Sequence, residues 1–230
     1  MKDRTAGQDT LVKDTFAKTE SLLKADLLSK ATAKIEPNSK QTKDQQIQEL
    51  KKNIDANFSQ VEEDLQRGLN LLMEKALPAE KTQVWESIQK MLQRQGKSNG
   101  QGEPHARGFE DAVLLDKIAK REMAAKQYEN AKCMFRFIIQ VDSQYSPAWV
   151  GVALCEQEKG LEAAEHIYKM GMDVLNNDYY IRLYAAKFYS GINQKAKAKE
   201  IVKKGIDDMQ KSGNSHNQIY KDLSALLTEL

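Results

Sequence analysis

The sequence predicts an all-α protein whose second half is an array of stacked helix pairs. Three observations carry that expectation. A phrase of small and large apolar residues recurs at intervals of 33 and 34 residues: Ala131, Phe135, Ile138; Ala164, Tyr168, Gly171; Ala198, Val202, Gly205. Another alanine precedes each phrase by 11 or 12 residues, at Ala119, Ala153 and Ala186. The composition also favours helix, with 30% charged residues and only 4 Pro among 230 residues, and no strand-like alternation interrupts it. A repeat of this length, built from two helices that meet at small residues, is a tetratricopeptide repeat.

Taken in order, residues 1–10 are polar. An amphipathic helix is expected over 11–35, with Leu11, Val12, Phe16, Leu22, Leu23, Leu27 and Leu28 as its apolar members, and Pro37 and Asn38 break it. A long helix follows from Lys43 to Leu77. Its stripe is Ile47, Leu50, Ile54, Phe58, Val61, Leu65, Leu69 and Leu72, an eleven-residue pattern that gives a nearly straight stripe. Such a stripe must be covered, either by neighbouring helices or by a second copy of the chain in a homodimer. Pro78 opens a third helix that carries Val84, Trp85, Ile88, Met91 and Leu92.

Residues 1–94 therefore read as an N-terminal helical module. Residues 95–108, with four glycines and a proline, read as a flexible linker. Residues 109–230 read as three repeats plus a capping helix. The expected pairs are 110–125 with 128–140, 147–158 with 161–175, and 179–190 with 194–210. A last helix over 215–229, with Ile219, Tyr220, Leu223, Leu226 and Leu227, would cover the open end of the third pair. Gly160 and Gly191 are expected at turns that need a positive φ.

Charge and composition exclude several function classes. Net charge is +2, and it is balanced in both halves: 16 basic against 15 acidic residues in 1–95, and 17 against 17 in 109–230. A nucleic-acid binder concentrates positive charge on one domain, so none is expected as a partner. The basic run Lys195, Lys197, Lys199, Lys203 and Lys204 reads first as a solvated helix face. No apolar stretch is long enough to span a membrane and the N-terminus lacks a signal core, which points to a cytosolic protein without stable membrane insertion. Cys133 and Cys155 lie in apolar helical patterns and read as small buried hydrophobes. His105, His166 and His216 are scattered, and Glu162–His166 is an ordinary (i, i+4) surface pair. No catalytic residue, metal ligand or cofactor site is expected.

In such an array specificity comes from first-helix residues that point into the concave face. Counted from the alanine anchors, these are Asp116, Lys120 and Met123; Val150, Leu154 and Gln157; and Tyr180, Leu183 and Lys187. The apolar members have an equally good alternative, packing between repeats.

Residues 109–230 resemble the class II chaperones of bacterial type III secretion, the SycD/LcrH group. The matching stretches are Lys126–Ala131 with Phe135, Val141-Asp142, and above all Trp149–Gly160, with its Gly151, Cys155, Gln157 and Gly160. Tyr168 with Gly171, and Tyr184-Ala185-Ala186, continue the match. The resemblance implies three tetratricopeptide repeats that bind a hydrophobic translocator protein in the bacterial cytosol. The client lies in the concave groove and stays soluble and unassembled before secretion. The chain departs from that group in two places. Asp116 and Lys120 stand where its groove tends to be aromatic, and the extension 1–108 is far longer than the group's short N-terminal segment. A generic tetratricopeptide adaptor in another assembly is the alternative function.

Overall fold

The computed structural model describes residues 42–97, 110–176, 178–214 and 216–230. The helix expected over 11–35 and most of the 95–108 segment lie outside the described residues. Nine helices make up the rest: α1 (Lys43–Lys75), α2 (Lys81–Lys97), α3 (Glu110–Ala124), α4 (Tyr128–Val141), α5 (Ser146–Gln157), α6 (Leu161–Val174), α7 (Tyr179–Gly191), α8 (Lys195–Lys211) and α9 (Gln218–Glu229). The fold is all-α, and no strand occurs among the described residues.

Helix ends follow local chemistry. Thr42 caps α1 with a complete capping box, its side chain accepting from Gln45 N–H while the Gln45 side chain accepts from Thr42 N–H. Pro78 sits in the turn before α2, where the Glu80 carboxylate accepts from Leu77 N–H. α2 continues to Lys97, so residues 95–97 of the expected linker are helical. Pro147 occupies the first turn of α5, and Asp178 and Asn217 cap α7 and α9 through their side chains.

The repeat anchors do what their size predicts. Ala119, Ala131, Ala153, Ala164, Ala186 and Ala198 are all fully buried, which lets the paired helices approach closely. Phe135 and Tyr168 fill the larger gaps, both buried. The Phe135 ring lies so close to Gly151 that a Cβ there would stand 2.6 Å from it. Trp149 is buried as well, and its indole N–H donates to the Ser143 carbonyl at 2.9 Å.

The turns correct one expectation. Gly160 is extended backbone (φ 167°) and Gly191 is the last residue of α7. Among the described residues the left-handed positions are Lys126, Asn193 and Gly213. Each is followed by a residue whose N–H reaches five positions back: Gln127 to Glu122, Gln194 to Tyr189, Asn214 to Met209. These are helix C-terminal closures in which the backbone bond, and not the residue type, sets the conformation at the first two positions.

The backbones of α3, α5, α7 and α9 approach one another in succession, whereas those of α4, α6 and α8 stay apart and α6 meets α8 through the Glu165–Lys197 ion pair at 3.0 Å. The first helices of the pairs therefore form a continuous inner layer and the second helices a splayed outer one, which curves the array. α9 closes the far end over α7 and α8, with Leu223 and Leu226 buried against Leu183, Ala186, Val202 and Met209.

The N-terminal helices close the near end. α1 lies on α4 and α2 on α3. Leu69, Leu72, Ala76, Val84, Ile88 and Met91 share one core with Leu115, Ile118, Met134 and Phe137. Gly68 makes this approach possible, because a Cβ there would fall 2.3 Å from the Cys133 carbonyl oxygen. Ion pairs frame the seam. Arg136 joins Asp64 of α1 to Glu156 of α5, at 2.5 and 3.3 Å, and Arg121 of α3 forks onto both oxygens of Glu80. Among the stripe residues of α1 whose side chains are described, Leu69 and Leu72 are thus covered within the chain.

Candidate partner-binding groove

The nine groove residues expected from the sequence fall into rows across α3, α5 and α7, and the rows differ. Asp116, Val150 and Leu183 occupy equivalent positions and are all buried, at 5%, 3% and 3% exposure. This row is the seam between adjacent pairs. Val150 joins the core around Tyr168 and Phe188, and Leu183 joins the core under α9. The packing alternative therefore holds for these two, and a charge placed at either would enter a core, not a groove.

One helical turn on, Lys120, Leu154 and Lys187 are exposed or half-buried, and beyond them Met123 and Gln157 are half-buried. This is the open inner face. Met123, Leu154 and Gln157 come together around a shallow pocket of about 320 Å³, completed by Ala124, Tyr128 and Glu158. Its walls are mainly the Met, Leu, Ala and Tyr side chains, with Gln157 and Glu158 at the edge. Val113, 51% exposed and one turn before Asp116 on the same face of α3, adds apolar surface.

Farther along, Tyr180 is half-buried and its ring lies 4.8 Å from Tyr184. Lys187 stands over the Tyr184 ring at 5.4 Å, a cation–π contact. Burial pushes the Tyr180 phenol well up, and the neighbouring Tyr184 and the Asp116 charge add to it. Tyr184, Tyr128, Ala124, Glu158 and Val113 were missed by counting from the anchors. The (i, i+4) spacing of Tyr184 from Tyr180 was the one signal that pointed to any of them.

Asp116 breaks the apolar pattern of its row. Its Oδ2 takes the Lys120 ammonium at 2.7 Å, the Tyr145 hydroxyl lies against the same carboxylate, and its buried Oδ1 accepts no hydrogen bond. Burial raises its pKa, against the opposing pull of Lys120 and Tyr145. An unmade bond at a buried oxygen costs about 1–3 kcal/mol. The Lys120 side chain is 47% exposed, so the pair reaches from solvent to a buried carboxylate.

Among the described residues no group of three or more His, Cys, Asp or Glu side chains is placed to hold a metal. His166 and His216 are exposed. Cys133 and Cys155 are buried free thiols, and burial pushes the Cys155 thiol up to about 12, so neither is an activated nucleophile. No described helix is long and apolar enough to cross a membrane.

No protein-family model matches the chain. No curated protein matches it either. Among solved structures it is similar to a chain of a "CopN-Scc3 complex", at 16% identity and a TM-score of 0.41, over 60% of this chain and 84% of that one. A likeness that distant carries no argument about function.

Proposed function

We propose that the protein is a non-catalytic chaperone that holds an apolar segment of another protein on the inner face of its helix array. The observation that carries this reading is the open row of first-helix residues around the Met123–Leu154–Gln157 pocket. Both ends of the array are closed, by α1 with α2 and by α9, and among the described residues no helix covers the inner face. A preformed apolar pocket masks client side chains that would otherwise aggregate in water.

The sequence resemblance to class II secretion chaperones supports a finer reading. The client is then a hydrophobic translocator, bound in the bacterial cytosol before export. Preformed geometry suits that task, because the rigid array loses little entropy on binding.

The test is affinity capture of the full-length protein from its native cells, run in parallel with Leu154→Glu and read by mass spectrometry. Leu154 is half-buried at the pocket and packs on the edge of a core, so thermal unfolding first confirms that the variant is folded. The expected result is a dominant partner with long apolar segments that Leu154→Glu fails to retain. Equal recovery of that partner by both proteins would refute the groove. Recovery of soluble complex subunits alone would replace the chaperone with an adaptor.

A further inference from the structure

The outer layer of the array carries an apolar strip that no described element covers. Met170 and Val174 of α6 are 41% and 44% exposed. Ile167 lies on the same face and is half-buried. It packs against two cores, the one shared with α1 and α2 and the one around Tyr168, and so does Ile139 of α4. The two isoleucines therefore floor the gap where the backbones of α4 and α6 stay apart, and Met170 and Val174 stand at its rim. Residues 167, 170 and 174 repeat at steps of three and four, the spacing by which one helix receives another.

The course of α1 says what reaches that gap. α1 is antiparallel to α4, because Asp64 pairs with Arg136, Arg67 bonds Asn130, and Gly68 lies on the Cys133 carbonyl. α4 and α6 are both antiparallel to α5, where Phe135 meets Gly151 and Gly171 meets Trp149. Residues 134–141 of α4 are therefore level with 167–174 of α6. Thr42 caps the start of α1. At 1.5 Å per residue it stands about 33 Å from the level of Asp64, beyond the C-terminal end of α4. The 41 residues that precede it set out from there.

We infer that residues 11–35 turn back at Pro37 and Asn38, run beside α1 as the helix their pattern predicts, and seat Val12 and Phe16 on the α6 strip. The length fits. A helix over 11–35 spans about 37 Å, so its first turns reach the level of Arg136. That register puts Val12 beside Ile167 and Phe16 beside Met170. Val12, Phe16, Leu23 and Leu27 share one helix face, and the last two stay level with residues 50–55 of α1. A second copy of the chain is the weaker occupant. A stable dimer buries about 1,200 Å² or more, far beyond three side chains, whereas a tethered segment docks at millimolar effective concentration. The outer face is thus closed by the chain itself, whatever the inner face binds.

The experiment uses the full-length protein with Met170→Cys or Val174→Cys, labelled by a maleimide at several protein concentrations, alone and combined with Phe16→Glu. Cys133 and Cys155 are buried and provide the silent background. Thermal unfolding confirms that each variant is folded. Labelling should be slower with Phe16 than with Phe16→Glu by about ten- to a hundredfold, the worth of one buried phenylalanine, and independent of concentration. Oxidation of Phe16→Cys/Met170→Cys should give a disulfide within one chain. Fast labelling at both positions, or protection that Phe16→Glu leaves intact, would overturn the docking. Protection that grows with concentration, with disulfides between two chains, would overturn it in favour of a second copy.

Discussion

Gly68→Ala separates two effects that pull in opposite directions. Inside a helix the substitution is favourable by about 0.8–1.0 kcal/mol, because alanine loses less backbone entropy. On α1 it is also a collision. The new Cβ would lie 2.3 Å from the Cys133 carbonyl oxygen and 3.0 Å from Phe137 Cβ, whereas real Cβ atoms essentially never come closer than 3.0 Å. The obstacle is backbone, so it cannot rotate away, and α1 must lift by more than half an ångström. That lift loosens the burial of Leu69 and Leu72 and stretches Arg136 from Asp64. Overpacking of this kind costs about 1–3 kcal/mol and occasionally more, and a backbone clash belongs at the upper end. The net expectation is a loss of about 2 kcal/mol, or roughly 4–8 °C in Tm for a chain of this size. Urea and thermal denaturation of the full chain measure it, with Asn70→Ala on the exposed side of α1 as a control that should stay within about 0.5 kcal/mol. A peptide of residues 43–75 should show the opposite sign, becoming more helical with the alanine. A rise in Tm of the full chain with Gly68→Ala would mean that α1 does not lie on α4 at this distance.

Three further outcomes follow from the same packing. A fragment of residues 110–230 should unfold with a broader transition and bind more hydrophobic dye than the full chain, because Leu115, Ile118, Met134 and Phe137 lose the cover of α1 and α2; a sharp transition at the parent Tm would show the repeats to be self-sufficient. Glu165, gripped by Lys169 and Lys197 at 2.8 and 3.0 Å, is held down to about 2 from an ordinary 4.5. Its folded pKa lies below its unfolded one, so its contribution is complete above 4.5 and disappears as the pH falls towards 2; denaturation across that window should show a shallower loss in Glu165→Gln, and an identical slope would refute the assignment. Cys133 and Cys155, both buried with raised pKa values, should react with a disulfide reagent only as fast as the protein unfolds; immediate labelling of either in native buffer would place it on the surface.

The helix array was legible because its determinants are local and periodic. Alanine at each helix crossing, and an aromatic one turn on in the first two repeats, are read directly from spacing, and six anchors out of six are buried as that spacing required. The groove was legible only in part. Counting from the anchors identifies a face of each first helix, but not how far the neighbouring pair leans over it. That lean is a property of the whole curve, and it turns the row of Asp116, Val150 and Leu183 from a groove wall into a seam. The turns failed for a different reason: Lys126 and Asn193 adopt the left-handed conformation with a backbone bond across the helix end, and glycine marks only one of the three such closures, at Gly213. The contact of α1 with α4 depends on a single glycine in a sequence of ordinary helix formers. Gly68 has no partner residue in the sequence to signal its role.

A curved stack of helix pairs has two apolar ends, and each must be closed by something other than another repeat. α9 closes one end alone, in the register a fourth first helix would take. At the other end the chain uses two helices. α2 covers α3, the inner helix of the first pair, and α1 covers α4, the outer one. The long stripe on α1 is therefore explained, over Leu69 and Leu72, without a second copy of the chain. The consequence bears on function. With its outer helix occupied and pinned through Arg136 to both α1 and α5, the first pair is held from behind. A partner on the inner face of the first pair meets helices braced on their far side, and its side chains are received at the Met123–Leu154 pocket.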